Sequence, residues 1–371
     1  MIGFTEELSK RLFGFADRTR LDRRNCQAIA RGASVIGAGL ILLAFSLTSV
    51  ARAEDAPKIA HYLCYRTTDD RMKIDGNITD TEWSNAPWTS DFVDIVGKST
   101  SPKPAFVTRA KMLWSDTTLY IAAHLDETNI VARIKDHDGE LYTGNAFEVF
   151  IDPDADNQNY VELEINAANT TMDLTMDKPY RDRGKPDLSF ELTGLKTAVH
   201  VDGTLNDASD TDRGWDVEIA IPFAALEALA KKPSPNEQWR INLARSEYID
   251  ENTSNYSVWS PQGEKNMHAP ERFGYMQFTN APPGKGEFKP DPTANARLAL
   301  FKLYHAERAY RYKNKHWATT LKEMNFTSDL PIDLKATPQA WIGTVTLKEP
   351  KPVTISVDQD SHVRVESKTA P

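Results

Sequence analysis

From residue 59 to residue 279 the chain is a succession of short runs rich in β-branched and aromatic residues, broken by clusters of Asp, Asn, Gly and Pro. Such punctuation marks a fold of strands and turns. Val161, Leu163 and Ile165 alternate with Glu162, Glu164 and Asn166, so a strand here has one apolar face and one that carries carboxylates. Trp215, Val217, Ile219 and Ile221 alternate in the same way with Asp216, Glu218 and Ala220. Further strands are expected at 110–114, 119–125, 147–151, 239–243, 256–259 and 273–278. The one helix expected in this region is short, 223–230, opened by Pro222 and stopped by Pro233. A doubly wound parallel sheet is excluded, because its crossovers need long helices between the strands. The expected fold is all-β, an antiparallel two-sheet sandwich of jelly-roll or immunoglobulin-like type spanning residues 54–279.

Residues 280–293 hold Pro282, Pro283, Pro290 and Pro292 with Gly284 and Gly286, and read as a linker. Beyond it, 294–371 is expected to form a small α+β appendage. Ala299, Leu303, Ala306 and Tyr310 recur at helical spacing, a second short helix is expected at 317–324, and strands at 340–347, 353–357 and 363–366. None of its motifs points to a chemistry.

Residues 1–53 read as a secretory signal. A charged segment with Arg20, Arg23, Arg24 and Arg31 precedes an uncharged stretch, 33–50, and Ala51-Arg52-Ala53 offers a small-x-small cleavage site before Glu54. The mature protein is then secreted or periplasmic; an uncleaved segment would instead anchor it to a membrane, its only expected membrane contact. The whole chain has 44 basic and 53 acidic side chains; residues 1–53 hold eight and four of these, which leaves 36 against 49. A surface so acidic repels phosphate backbones, which excludes nucleic acid as a partner. Two cysteines rule out a disulfide framework or a multi-thiolate zinc site, and only Cys64 lies beyond residue 53.

No G-x-S-x-G elbow, H-E-x-x-H helix, C-x-x-C-H site or Gly-rich phosphate loop follows the signal. Glycoside hydrolysis needs only two carboxyl groups flanking one bond, for which Glu148, Glu162 and Glu164 are candidates, although spacing along a chain cannot set a distance across strands. Asp152, Asp154 and Asp156 alternate before Asn157 and would suit calcium. They depart from an EF-hand loop, with Asn157 at the turn glycine and Leu163 where a bidentate Glu belongs. A plain Asp/Asn hairpin turn explains them equally well.

Several short motifs stand in a fixed order: Ile74-Asp75-Gly76, Glu82-Trp83, Met112-Leu113-Trp114, Leu119-Tyr120 and Phe147-Glu148-Val149-Phe150-Ile151-Asp152. After them come Gly214-Trp215-Asp216-Val217-Glu218, Ile221-Pro222, Trp259-Ser260, Pro270 and Phe273-Gly274. In this order and spacing the chain resembles the family 9 carbohydrate-binding modules over about residues 74–279. The resemblance implies an antiparallel β-sandwich that binds a carbohydrate ligand without catalysis, in company with a glycoside hydrolase as a possible partner. It also implies a sugar gripped between two aromatic rings, with carboxylate, amide and guanidinium groups on its hydroxyls. Tyr142 falls at the first ring and Glu148 at the family's sugar-gripping Glu. Met267 falls where the second ring is expected, with His268 beside it as a replacement. On the strand ending at Asn166, Glu162 and Glu164 stand where the family has Gln and Arg, so donors have become acceptors. Arg245 is expected to bring a cation toward these acids. Two rival readings remain: a hydrolase-associated domain acting through its own carboxylates, and a haem-binding sandwich using Met267 or His268.

Overall fold

The computed structural model describes residues 58–250, 253–348 and 352–367. The expected signal, 1–53, and with it the expected localisation, lie outside the described residues. Among the described residues no helix is long and apolar enough to cross a membrane.

The first half of the fold contributes β1 (His61–Arg66), β2 (Val93–Asp94), β3 (Thr108–Trp114), β4 (Thr118–Asp126), β5 (Ala146–Asp152), β6 (Tyr160–Ile165) and β7 (Thr171–Met176). Then follow β8 (Pro186–Asp187), β9 (Lys196–Asp202), β10 (Gly214–Pro222), β11 (Gln238–Asp250), β12 (Thr253–Val258) and β13 (Gly274–Thr279). These strands share one hydrogen-bonded network in the order β8-β7-β6-β5-β11-β13-β1-β3-β4-β10-β9, with β12 and β2 attached beside β11. The network curls until its two halves face each other. Phe147, Val149, Ile151, Val161, Leu163 and Ile165 from one half meet Met112, Ile121, Ala123, Val217 and Ile219 from the other in the main core. The alternation read from the sequence is thus the inward face of a sandwich. One strand departs from the antiparallel expectation: β1 runs parallel to both β13 and β3 and bridges the halves.

The order of the sequence motifs has a physical reason. Glu218 on β10 is buried, and its Oε1 accepts from Trp83 Nε1 at 2.6 Å while its Oε2 accepts from the backbone N–H groups of Asp75 and Gly76 at 2.8 and 2.6 Å. One carboxylate therefore ties three of the motifs together and meets the demand that a buried charge be hydrogen-bonded. Gly76 has φ +89°, and a Cβ there would meet the backbone of Val199 and His200 at 3.0 Å, so only glycine fits. Cys64 is a buried member of the main core.

Two expected helices are shorter than the pattern implied. Residues 223–230 form only the 3₁₀ turn Phe223–Leu226, because Phe223 and Leu226 are drawn into the core as soon as β10 ends. Residues 317–324 form turns: the Thr319 and Thr320 hydroxyls donate to Glu323 Oε1, a side-chain alternative to helical bonding.

Beyond 293 stand α1 (Ala294–Asn314) and a four-stranded antiparallel sheet of β14 (Asp333–Ala336), β15 (Trp341–Leu347), β16 (Val353–Asp358) and β17 (Val363–Ser367). They share a core of their own around Leu300, Leu303, Trp317, Trp341 and Ile355. They also grip the sandwich, since residues 54–371 cluster as one compact unit. Asp182, buried after β7, accepts from the Tyr304 hydroxyl, from Ser361 Oγ at 2.7 Å and from Arg308 Nη1 at 3.0 Å.

Candidate functional site

On the face of β5, β6, β7 and β11 turned away from the main core lies a second cluster, with Phe150, Tyr160, Met172, Leu174 and Ala244 packed together. Cross-strand register sets Glu148 opposite Glu164 and Phe150 opposite Glu162. Because side chains alternate along a strand, all three glutamates project to this face. They are buried, and oxygens from all three lie within 4.8 Å of one another. Among the described residues Glu164 Oε2 has no hydrogen-bond partner.

Carboxylates so placed cannot all stay ionised. Burial pushes Glu148 up to about 7, against a lowering hydrogen bond from Ser246. Glu162 rises to about 8 through burial and then the nearby Glu148. Burial, together with both neighbours, raises Glu164 as well. The group accordingly holds protons at neutral pH, giving a mixture of O–H donors and carboxylate acceptors.

Aromatic side chains border these acids. Tyr142 and Tyr256 pack against the same cluster, and the Tyr248 hydroxyl donates to the Tyr142 carbonyl at 2.8 Å. Tyr180 packs there too, and its ring meets the His268 ring edge-on at a centroid distance of 4.6 Å. His268 Nδ1 lies 3.0 Å from the Tyr160 hydroxyl and its Nε2 lies 3.8 Å from Glu162 Oε2. Burial, aided by Arg181, depresses His268 to about 3, so the ring is neutral. A neutral ring that accepts the Tyr160 proton at Nδ1 carries its own at Nε2, on the side of Glu162.

The structure thus brings Tyr142, Glu148, Glu162, Glu164, Met267 and His268 together, with Met267 half-buried against the cluster. The missing second ring has near substitutes in His268 and Tyr180. Two expected residues are elsewhere. Arg245 alternates with Ala244 and points to the opposite face, where its Nη2 donates to Glu127 and Glu247 at 2.7 and 2.6 Å. The cation expected beside the acids is therefore locked in a buried ion-pair cluster. Asn166 closes a turn: its Oδ1 accepts from the backbone of Ala168 and Thr170, and its Nδ2 donates to the Ile134 carbonyl.

Sequence reasoning missed Tyr160, Tyr180, Tyr248 and Tyr256. Tyr160 was reachable, two residues before Glu162 on the same strand. Tyr180 sits in a 3₁₀ turn, Tyr180–Asp182, where no periodicity reports it.

Asp152, Asp154 and Asp156 also converge, with oxygens within 4.8 Å. These hard oxygen donors are of the type calcium takes. The loop is also a docking platform: Asn157 N–H donates to Asp152 Oδ2, Val363 N–H to the Asp156 carbonyl, and Arg297 Nη1 to the Ala155 carbonyl.

A curled sandwich that gathers polar and aromatic side chains on one sheet face, away from its core, is a binding module by class. The chain belongs to the family described as carbohydrate family 9 binding domain-like, which matches residues 74–281. Solved structures to which it is similar include a candidate carbohydrate-binding protein from Bacteroides uniformis, at 16% identity and TM-score 0.49, with 60% of this chain and 100% of that chain covered. A family 9 module from Caldicellulosiruptor kristjanssonii is similar in its cellotriose complex, at 17% identity and TM-score 0.42, with 62% and 100% covered. Its glucose complex gives 17% identity and TM-score 0.41 with the same coverage. No curated protein matches the chain.

Proposed function

We propose that this protein binds carbohydrate without cleaving it, at the face holding Tyr142, Glu148, Glu162 and Glu164. The observation that carries this reading is the meeting of three buried carboxyl groups within 4.8 Å on a tyrosine-bordered sheet face, in a chain of this family. Pyranose C–H faces stack on aromatic rings, and hydroxyl groups find both acceptors and donors among half-protonated carboxyls. Replacement of the family's amide and guanidinium by Glu162 and Glu164 favours ligands rich in donors, amino sugars included, over uronates on this face.

The geometry argues against hydrolysis. A glycosidase places its two carboxyls about 5 to 9.5 Å apart on either side of the bond. Here the three share one sheet face, with one oxygen of each within 4.8 Å of the others, instead of flanking a bond from two sides. Haem ligation is likewise disfavoured, because His268 has Nδ1 engaged by Tyr160 and Nε2 turned toward Glu162. A secreted or periplasmic setting, and a glycoside hydrolase as companion, belong to the same proposal. A glycan array on the full chain, repeated with Tyr142→Ala, tests it: capture of an oligosaccharide that the variant loses is expected, and silence across neutral and amino sugars would overturn it.

A further inference from the structure

A cavity of about 600 Å³ opens between the sandwich and α1, within the range of small-molecule sites. Lys58, Arg240, Arg272, Arg297 and Lys302 contribute to its walls, an unusual gathering of cations in a chain whose net charge is −9. Glu264 and Glu271 line it as well, but Glu271 is held by Arg181 Nη2 at 2.6 Å. Asp291, near Arg297 at 3.5 Å, accepts from the Thr293 hydroxyl. Two buried side chains in the lining are incompletely satisfied among the described residues. Arg240 is only 5% exposed and donates through Nη2 to the Glu271 carbonyl at 2.8 Å, yet its Nε has no acceptor. Gln262 is 3% exposed and donates through Nε2 to the Ser260 carbonyl at 2.9 Å, yet its Oε1 has no donor. Buried polar groups without partners are rare and costly. Both atoms are covered by their neighbours, so a ligand that supplies the two complements reaches them through a small turn of the Arg240 and Gln262 side chains that line the cavity.

We propose that this cleft is a second binding site, for a sugar acid: a small polyhydroxylated carboxylate whose anionic group meets Arg240 and whose hydroxyl donates to Gln262. Lys58 and Lys302 at the exposed rim draw the anion in, and Phe301 and Tyr275 offer apolar surface to its carbon skeleton. The site is separate from the acidic face and does not depend on the reading given to that face.

Isothermal titration of the full chain with sodium D-glucuronate tests the proposal, with D-glucose as the uncharged counterpart and sodium sulfate as a bare oxyanion. Glucuronate is expected to bind, Arg240→Gln to weaken it at least about tenfold, and sulfate to compete poorly because it offers no hydroxyl for Gln262. Should Arg240→Gln fail to fold, the rim pair Lys58→Ala and Lys302→Ala, both exposed, decides the question by a loss of about fivefold or more. No binding of glucuronate, equal affinity in a folded Arg240→Gln protein, an unaltered affinity in the rim pair, sulfate as strong as glucuronate, or equal competition by glucose would each overturn it.

Discussion

The acidic face and the cationic cleft lie on the same side of the same strands and are built with opposite charge. On β11, Ala244 stands opposite Glu148 and Arg240 opposite Asp152, so four residues of one strand, roughly 13 Å at ordinary strand rise, separate the two. Glu271 on the cleft lining pairs with Arg181, whose charge also acts on His268 beside the acids. The acids at one end relieve their repulsion by holding protons; guanidinium groups at the other have no such route at neutral pH and depend on fixed acceptors. Proton uptake therefore tunes the first region, whereas anion capture stabilises the second.

The comparison breaks most visibly if the wall of the cleft is loosened. Asp182→Ala removes the acceptor for Tyr304, Ser361 and Arg308, which leaves buried donors unpaired. A loss of about 3 to 5 kcal/mol is expected, read as a fall of roughly 10 °C in melting temperature. Glucuronate binding should fall with it, because α1 forms one side of the cavity. An unchanged melting temperature would show that this junction contributes nothing.

Protons provide the next test. Burial raises Glu148 from 4.5 to about 7, and burial followed by the nearby Glu148 raises Glu162 from 4.5 to about 8. The folded protein thus keeps protons that the unfolded chain has released, and their stabilising contribution is complete below about pH 4.5 and lost as pH rises through 7 and 8. Between pH 5 and pH 8.5 this amounts to on the order of 3 kcal/mol for each group. Glu162→Gln should flatten that part of the stability profile. Glu247 and Glu307, raised to about 8 and about 7, slope the same way, so the difference between variant and parent is the measure. Equal slopes would mean that Glu162 titrates as an ordinary exposed acid.

On the acidic face itself, Tyr142→Ala and Glu148→Gln should each weaken neutral or amino saccharides by about 10- to 100-fold in calorimetry. Parallel titrations with glucuronate sharpen the contrast. Equal losses on both ligands would merge the two regions into one site.

How much of this was legible beforehand depends on locality. The strand around Glu162 and Glu164 was readable because alternation is a property of adjacent residues, and Glu148 because its motif is contiguous. Arg245 misled because the face it occupies follows from pairing with β5, and its partner Glu127 lies 118 residues away. Asn166 looked like another member of an acid-bearing face, but it lies just past the end of β6, where an Asn side chain satisfies turn N–H groups. The cleft was invisible for the same reason as Arg245: Lys58, Arg240, Arg272 and Lys302 come from four separate segments, and no spacing joins them.

The smallest expected effect isolates long-range attraction from contact. Lys302 projects from α1 into solvent at the rim of the cleft. Alone, Lys302→Ala should lower glucuronate affinity about threefold at low salt, and most of that loss should vanish at about 0.5 M NaCl, where exposed charges are screened within a few ångströms. The Arg240→Gln loss should persist under the same salt, because a buried guanidinium is screened much less. If both losses collapse together, the cleft attracts anions only through its rim and Arg240 makes no direct contact.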